Sequence, residues 1–294
     1  MRWQDRDESS NVDDRRSSSS GFSGGGNNLI GTAFFLWPLI KMLLRTKFGW
    51  AIIALGVVAH FAGFSPLGLI DGGSSTKTVV NEKQDDEQKR FIATVLRDTE
   101  LVWEEVLGKY NRSYPHPTLV LYRGATQSGC GHASAQIGPF YCPADQKIYI
   151  DLGFFDEMAN KFGASGDFAQ AYVLAHEVGH HIQEILGILK IAHKRKANLY
   201  SKADKNAVQV QVELQADCLA GVWAYHANER FNILEAGDID EALNAASAIG
   251  DDTLQKRSQG YVVPDAFTHG TSAQRVAWFK KGFKSGNINI CKTL

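Results

Sequence analysis

Apolar and polar positions along this chain fall into blocks, and the blocks predict its elements. Residues 168–186 form an apolar, helix-compatible run with Asp167 as N-cap and Gly187 near its end. A second helix is expected over residues 207–228. Phe91, Val95, Leu101, Val102 and Val106 recur at the helical period within residues 87–110. Further helices are expected over 239–249, after Asp238, and over 272–283. The run from Thr118 to Tyr122 reads as a buried strand, and the alternation from Lys147 to Leu152 reads as another. Residues 190–205 are basic and polar and read as a connection or helix end. No internal repeat is present. The pattern predicts an α+β domain over residues 87–294 with a small mixed sheet.

The N-terminal third has a different pattern. Residues 1–28 are polar and rich in Ser and Gly, and Asp13, Asp14, Arg15 and Arg16 precede four serines. So little apolar surface predicts a disordered tail. Residues 29–70 are the most apolar part, divided by Lys41, Arg45 and Lys47. Residues 48–70 carry no formal charge apart from His60 when protonated, and they are long enough to cross a hydrocarbon core as a helix. The stretch begins too late for a cleaved signal peptide. Arg2, Arg6, Arg15, Arg16, Lys41, Arg45 and Lys47 precede it, and Asp71 and small residues follow. The positive-inside rule then puts the N-terminus in the cytoplasm and the folded domain in the periplasm or outside, as in a single-pass protein of a bacterial inner membrane. Residues 29–44 are short for a span and contain Pro38; they lie in the interface or pair with 48–70 as a hairpin, which would leave the domain in the cytosol. The single span is the expectation carried forward, with a membrane segment over 29–71 and a polar linker over 72–86.

Composition narrows the class. The chain has 294 residues, 44% of them hydrophobic, enough for one sizeable core. Its net charge of −1 gives no global basic field to recruit nucleic acid. The four cysteines are Cys130, Cys142, Cys218 and Cys291, and none forms a C-x-x-C pair. An even number fits two disulfides in an oxidising compartment. Cys130 with Cys142 would close a short loop, and Cys218 with Cys291 would tie the C-terminus to the 207–228 helix. Four buried thiols in a reducing cytosol are the alternative.

The candidate chemistry lies in the 168–186 helix. His176 and His180 are four residues apart and share a helical face, so both imidazoles can grip one metal ion. Glu177 between them can reach a water on that metal, which makes H-E-x-x-H two zinc ligands and a general base. Glu213 and Asp217 are again four apart, on the second helix. Glu213 would complete a His2Glu site with one position left open, and Asp217 could fix a ligating imidazole from behind. One Zn2+ ion is therefore expected. A structural zinc site needs a fourth protein ligand, and none is evident. His181 points about 100° away from His180 and should not share the metal. His132, His193 and His226 have no evident partner.

Two further groups are candidates. His269 precedes the last helix and is a candidate donor to an oxyanion opposite the metal, with Arg275 holding it or gripping substrate. In zinc peptidases with an H-E-x-x-H helix, an edge strand beside the cleft pairs with extended substrate by β-augmentation. Residues 133–138 are the candidate edge, with Ala133, Ser134, Ala135 and Gln136 offering main-chain groups; a disulfide-closed loop is the alternative reading.

The sequence resembles the bacterial neutral zinc metallopeptidase family over nearly its whole length. The resemblance is carried by Met1-Arg-Trp-Gln4, the apolar segment, Gly138-Pro-Phe-Tyr-Cys142-Pro-Ala-Asp145, His176-Glu-Val-Gly-His-His181, Glu213-Leu-Gln-Ala-Asp217 and His269-Gly-Thr-Ser-Ala-Gln-Arg275. Similarity to gluzincins implies a zincin-like fold with an active-site helix pair, zinc held by His176, His180 and Glu213, and Glu177 as general base. Together with the apolar segment, this reads as a membrane-anchored zinc metallopeptidase acting on a peptide or protein, with the resemblance itself saying little about the substrate. A catalytically silent zincin-fold scaffold in the cell envelope is the alternative.

Overall fold

A computed structural model describes residues 1–17 and 82–294. The expected span at 48–70, the rest of the 29–71 segment and residues 72–81 of the linker lie outside them, as do residues 18–28 of the expected tail. Among the described residues, no helix is long and apolar enough to cross a membrane.

The described residues are mainly helical with a small sheet. Helix α1 (Glu82–Gly108) starts inside the expected linker; Glu82 and Asp85 lie in its first turn, where the helix dipole favours carboxylates. Its apolar face buries Phe91, Ile92, Val95, Leu96, Val102, Trp103 and Val106. The strands are β1 (Val12–Asp14), β2 (Thr118–Tyr122), β3 (Ala125–Ser128), β4 (Gly131–Ser134), β5 (Phe140–Cys142) and β6 (Lys147–Asp151). One sheet has the order β1-β2-β6-β5; β2 runs parallel to β1 and β6, and β5 runs antiparallel to β6. Strands β3 and β4 form a separate antiparallel hairpin. The remaining helices are α2 (Gly153–Phe162), α3 (Asp167–Ile185), α4 (Ile188–Ala197), α5 (Lys202–Phe231), α6 (Asp238–Ala248), α7 (Asp251–Gln259) and α8 (Ser272–Ser285).

Small residues let the helices that carry the site close on one another. A Cβ on Gly179 of α3 would lie 3.0 Å from the Ala216 carbonyl oxygen of α5. A Cβ on Gly282 of α8 would fall 1.9 Å from the Cys218 carbonyl oxygen of α5, so only glycine fits that crossing. Disulfides join Cys130 to Cys142 and Cys218 to Cys291, the pairing expected. The second fastens the C-terminal residues to α5, one residue from Asp217.

The N-terminal residues differ from a disordered tail. Val12, Asp13 and Asp14 pair in register with Leu119, Val120 and Leu121. Met1 and Trp3 are buried in the main core, with the Trp3 ring edge-on to Phe91 at 5.3 Å. Arg6 pairs with buried Asp98 and stacks over Phe231, and Ser9 bonds to Glu100. Arg16 bridges Asp14 to Asp85 and Asp86 of α1. Local composition misses this because nearly every partner lies at least 69 residues away; the charges that suggested a solvated tail are mostly paired.

Residues 1–17 and 82–294 therefore form one compact unit. Two strands of one sheet lie on the same side of a bilayer. The β1–β2 pairing joins residues from before and after the expected membrane segment.

Candidate metal centre

Helices α3 and α5 pack against each other along the Gly179–Ala216 contact, and this brings three ligand atoms together. Glu213 Oε2 lies 3.2 Å from His176 Nε2 and 3.4 Å from His180 Nε2. A tetrahedral zinc with ligands at 2.0–2.1 Å separates them by about 3.3–3.4 Å. The donor set, two imidazoles and one carboxylate, is that of a zinc site with one open position. The residues present fit the ion.

Each imidazole is held from behind at Nδ1, which leaves Nε2 for the metal. Asp217 Oδ1 accepts from His176 Nδ1 at 2.8 Å. Asp217 is in turn gripped by Arg275, whose Nε and Nη2 donate to its two oxygens at 2.8 and 2.9 Å, and by the Tyr172 hydroxyl at 2.5 Å. This web is buried: Asp217 is 0% and Arg275 2% exposed. Gln183 Oε1 accepts from His180 Nδ1 at 2.9 Å, while its amide donates to the Val212 carbonyl and to Gln215. Gln215 passes the contact on to the Cys291 carbonyl at 3.0 Å, beside the second disulfide. The other oxygen of Glu213 accepts from Gln209 Nε2 at 2.6 Å, and Lys196 of α4 donates to Gln209 at 2.7 Å.

Electrostatics agree with this geometry. Burial alone would depress His176, but Asp217 and then Glu213 outweigh it and raise its pKa to about 9. Burial opposes ionisation of Glu213, yet His180 and His176 hold its pKa well below the carboxylate range. Asp217 is likewise held below it against its own burial, chiefly by Arg275 and His176. A cation bound here would displace the extra proton that Asp217 and Glu213 favour on His176.

A family model described as "Putative neutral zinc metallopeptidase" matches residues 1–294. The chain belongs to that family. It is 47% identical over 298 aligned residues to the uncharacterized protein YpfJ of Escherichia coli K12, covering 100% of this chain and 98% of that one. It is 42% identical over 216 residues to the uncharacterized protein Rv2575 of Mycobacterium tuberculosis H37Rv, covering 70% of each. No solved structure matches.

In this metallopeptidase-family chain the centre opens into a cleft of about 790 Å³. Glu177 lines it beside His176 and is largely buried. His269 lines the same cleft; its Nδ1 lies 3.2 Å from Asp251 Oδ1. The other Asp251 oxygen accepts the backbone N–H groups of Thr268, His269 and Gly270, which pins the loop. Arg275 makes no polar contact with His269; it serves Asp217 and donates to the Ile249 carbonyl.

The candidate edge strand shifts. Ala133, Ser134, Ala135 and Gln136 do not line the cleft: Ala133 pairs with Thr126 inside the β3–β4 hairpin, and Ala135–Ile137 is a 3-10 turn. The cleft edge begins at Ile137 and Gly138, the end of the expected 133–138 stretch, and continues through Pro139 into β5 at Phe140 and Tyr141. Both segments lie in the same disulfide-bounded stretch, and a strand of three residues gives too short an alternation to place. His181 is buried and bridges Tyr141 Oη and the Pro115 carbonyl, which ties α3 to β5. His132 meets Gln127, and His226 meets the Gly286 carbonyl. Gln183, Gln209 and Tyr172 were not singled out from sequence. Gln183 follows His180 by three and Tyr172 precedes His176 by four, so helical spacing was the available signal.

Proposed function

We propose that this protein is a zinc-dependent peptidase with one ion held by His176, His180 and Glu213. Zinc supplies Lewis acidity, lowering the pKa of water and polarising the scissile carbonyl. Glu177 takes the proton of the attacking water and delivers it to the leaving amine. His269, which lines the cleft with its Nδ1 beside Asp251, is the donor to the developing oxyanion. Strand β5 offers main-chain groups to an extended peptide. The observation that carries this reading is the convergence of the three ligand atoms at zinc-like spacing with Glu177 on the same cleft. The test is Glu177→Gln in the full chain: peptide hydrolysis should fall by about 100-fold or more while bound zinc is retained. Undiminished turnover would remove Glu177 from the mechanism. A wild-type protein that holds zinc and cleaves nothing in a peptide library would leave the scaffold reading.

We also propose that the protein is membrane-associated, with residues 1–17 and the catalytic unit on one face of the bilayer. The β1–β2 pairing supports this placement. Compartment reporters fused separately to each end of the full chain should agree; opposite compartments would overturn it.

A further inference from the structure

We infer that the cleft selects peptides that combine a bulky apolar side chain with a carboxylate, the carboxylate being read by Lys190 and His193 of α4. This deepens, and rests on, the peptidase reading above. The cleft is large enough for several residues of an extended peptide. Apart from the metal centre, much of its lining is apolar: Phe140 of β5, Phe154 and Phe162 of α2, Ile249, and Leu254 of α7. Such a lining favours large apolar side chains.

Helix α4 adds the opposite chemistry. Lys190 and His193 line the cleft, stand three residues apart on one helical side, and are exposed. Neither has an ion pair or side-chain hydrogen bond among the described residues. Lys194 and Arg195 follow without a carboxylate partner among them either, although the chain as a whole has a net charge of −1. Glu184 of α3 is the one lining carboxylate besides Glu177 and Glu213 among the described residues, and it forms no ion pair with Lys190 there. A cleft wall with local excess positive charge concentrates anions and orients them.

A solvated basic helix face would look similar in sequence. What sets α4 apart is its tether to the centre: Lys196 donates to Gln209, and Gln209 donates to the ligand Glu213. The α4 backbone that carries Lys190 and His193 is thereby held beside the centre, which lowers the cost of presenting them to a carboxylate there. The carboxylate can be an acidic side chain or the peptide's own C-terminus.

The experiment uses full-chain, zinc-loaded Glu177→Gln to measure equilibrium binding without turnover. Fluorescent peptides share one apolar core and differ in one group: Glu against Gln within the chain, and a free against an amidated C-terminus. The carboxylate form of one pair should bind about fivefold tighter, and which pair responds names the source. Adding Lys190→Glu with His193→Glu should reverse that preference; Lys190→Gln with His193→Gln should abolish it if the reversal variant fails to fold. Equal binding of both members of both pairs overturns the inference, whereas cleavage of these peptides by the wild type would leave the peptidase reading standing. Carboxylate-selective binding without wild-type cleavage sinks the peptidase reading and keeps the ligand class. Binding of no peptide overturns both.

Discussion

The two imidazoles of the centre sit one helical turn apart and are held by unlike means. Behind His176 lies an ionic arm: Asp217, locked by Arg275 and Tyr172 and closed to water. Behind His180 lies an amide arm: Gln183, braced by Gln215 and the Cys291 carbonyl, with no formal charge. Both arms fix an Nδ1 proton and aim an Nε2 at Glu213. They differ in what is lost when they fail. A carboxylate and a guanidinium out of water depend on each other, and removing one strands the other at a cost of about 3–5 kcal/mol. A buried amide network loses about 1–3 kcal/mol when a partner is left unsatisfied. The ionic arm should therefore be structural as well as chemical, and the amide arm more purely a device for aiming.

The largest effect should come from removing what both arms serve. Glu213→Ala leaves two imidazoles and no third ligand, so stoichiometric zinc and hydrolysis should both be lost. Metal analysis after dialysis, beside a peptide assay, measures this. Full zinc occupancy in the variant would mean that the arms aim at something other than this carboxylate.

Next comes the ionic arm. Arg275→Met keeps volume but leaves Asp217 buried without its strongest partner. Stability should fall by about 3–5 kcal/mol, and zinc affinity by about 10–100-fold. Denaturant midpoints and competition with a chelator read the two quantities separately. A stability loss under 1 kcal/mol would show that the arm is not the interdependent pair described.

The pH response separates the arms again. In the metal-free protein His176 has its pKa raised to about 9, above its unfolded value near 6.5. Its contribution to stability is complete below pH 6.5 and is lost as pH rises through 9. Asp217 and Glu213 have lowered values, so their contribution holds above the ordinary carboxylate range and is lost in acid. Zinc needs the imidazoles deprotonated, so the alkaline loss should vanish on loading. Thermal midpoints from pH 6 to 10, with and without zinc, should diverge; parallel curves would remove His176 as the source.

These contrasts also explain what could be read before folding. His176, His180, Glu213 and Asp217 obey a four-residue period, and a helix converts that spacing into a shared face whatever surrounds it. The same rule reaches the arms, because Tyr172 and Gln183 stand four before and three after the imidazoles they serve. Arg275 is different: it lies 58 residues from Asp217, and only the tight α5–α8 crossing at Gly282 brings it there. The contacts of Met1, Trp3 and Arg6 are equally remote in sequence, since their partners come from α1, α3, α5 and α6. Strand β5 was missed by a few residues because a three-residue edge is defined by its neighbour β6 rather than by its own alternation.

The smallest effect should lie on the amide arm, at Gln183→Leu. The substitution keeps most of the volume, removes the acceptor for His180 Nδ1, and leaves the Val212 carbonyl and Gln215 Oε1 without the amide donor. Stability should fall by about 1–3 kcal/mol, less than for Arg275→Met. His180 then keeps its place in the helix but is free to turn or to change tautomer, so zinc affinity should drop by about tenfold. Because the general base is untouched, hydrolysis at saturating zinc should recover to near the wild-type rate. Titrating activity against free zinc makes the distinction: a shifted midpoint with an unchanged plateau means that Gln183 only aims the ligand. A lowered plateau at full occupancy would mean that the amide arm also shapes the reacting geometry, and the division between the two arms would fail.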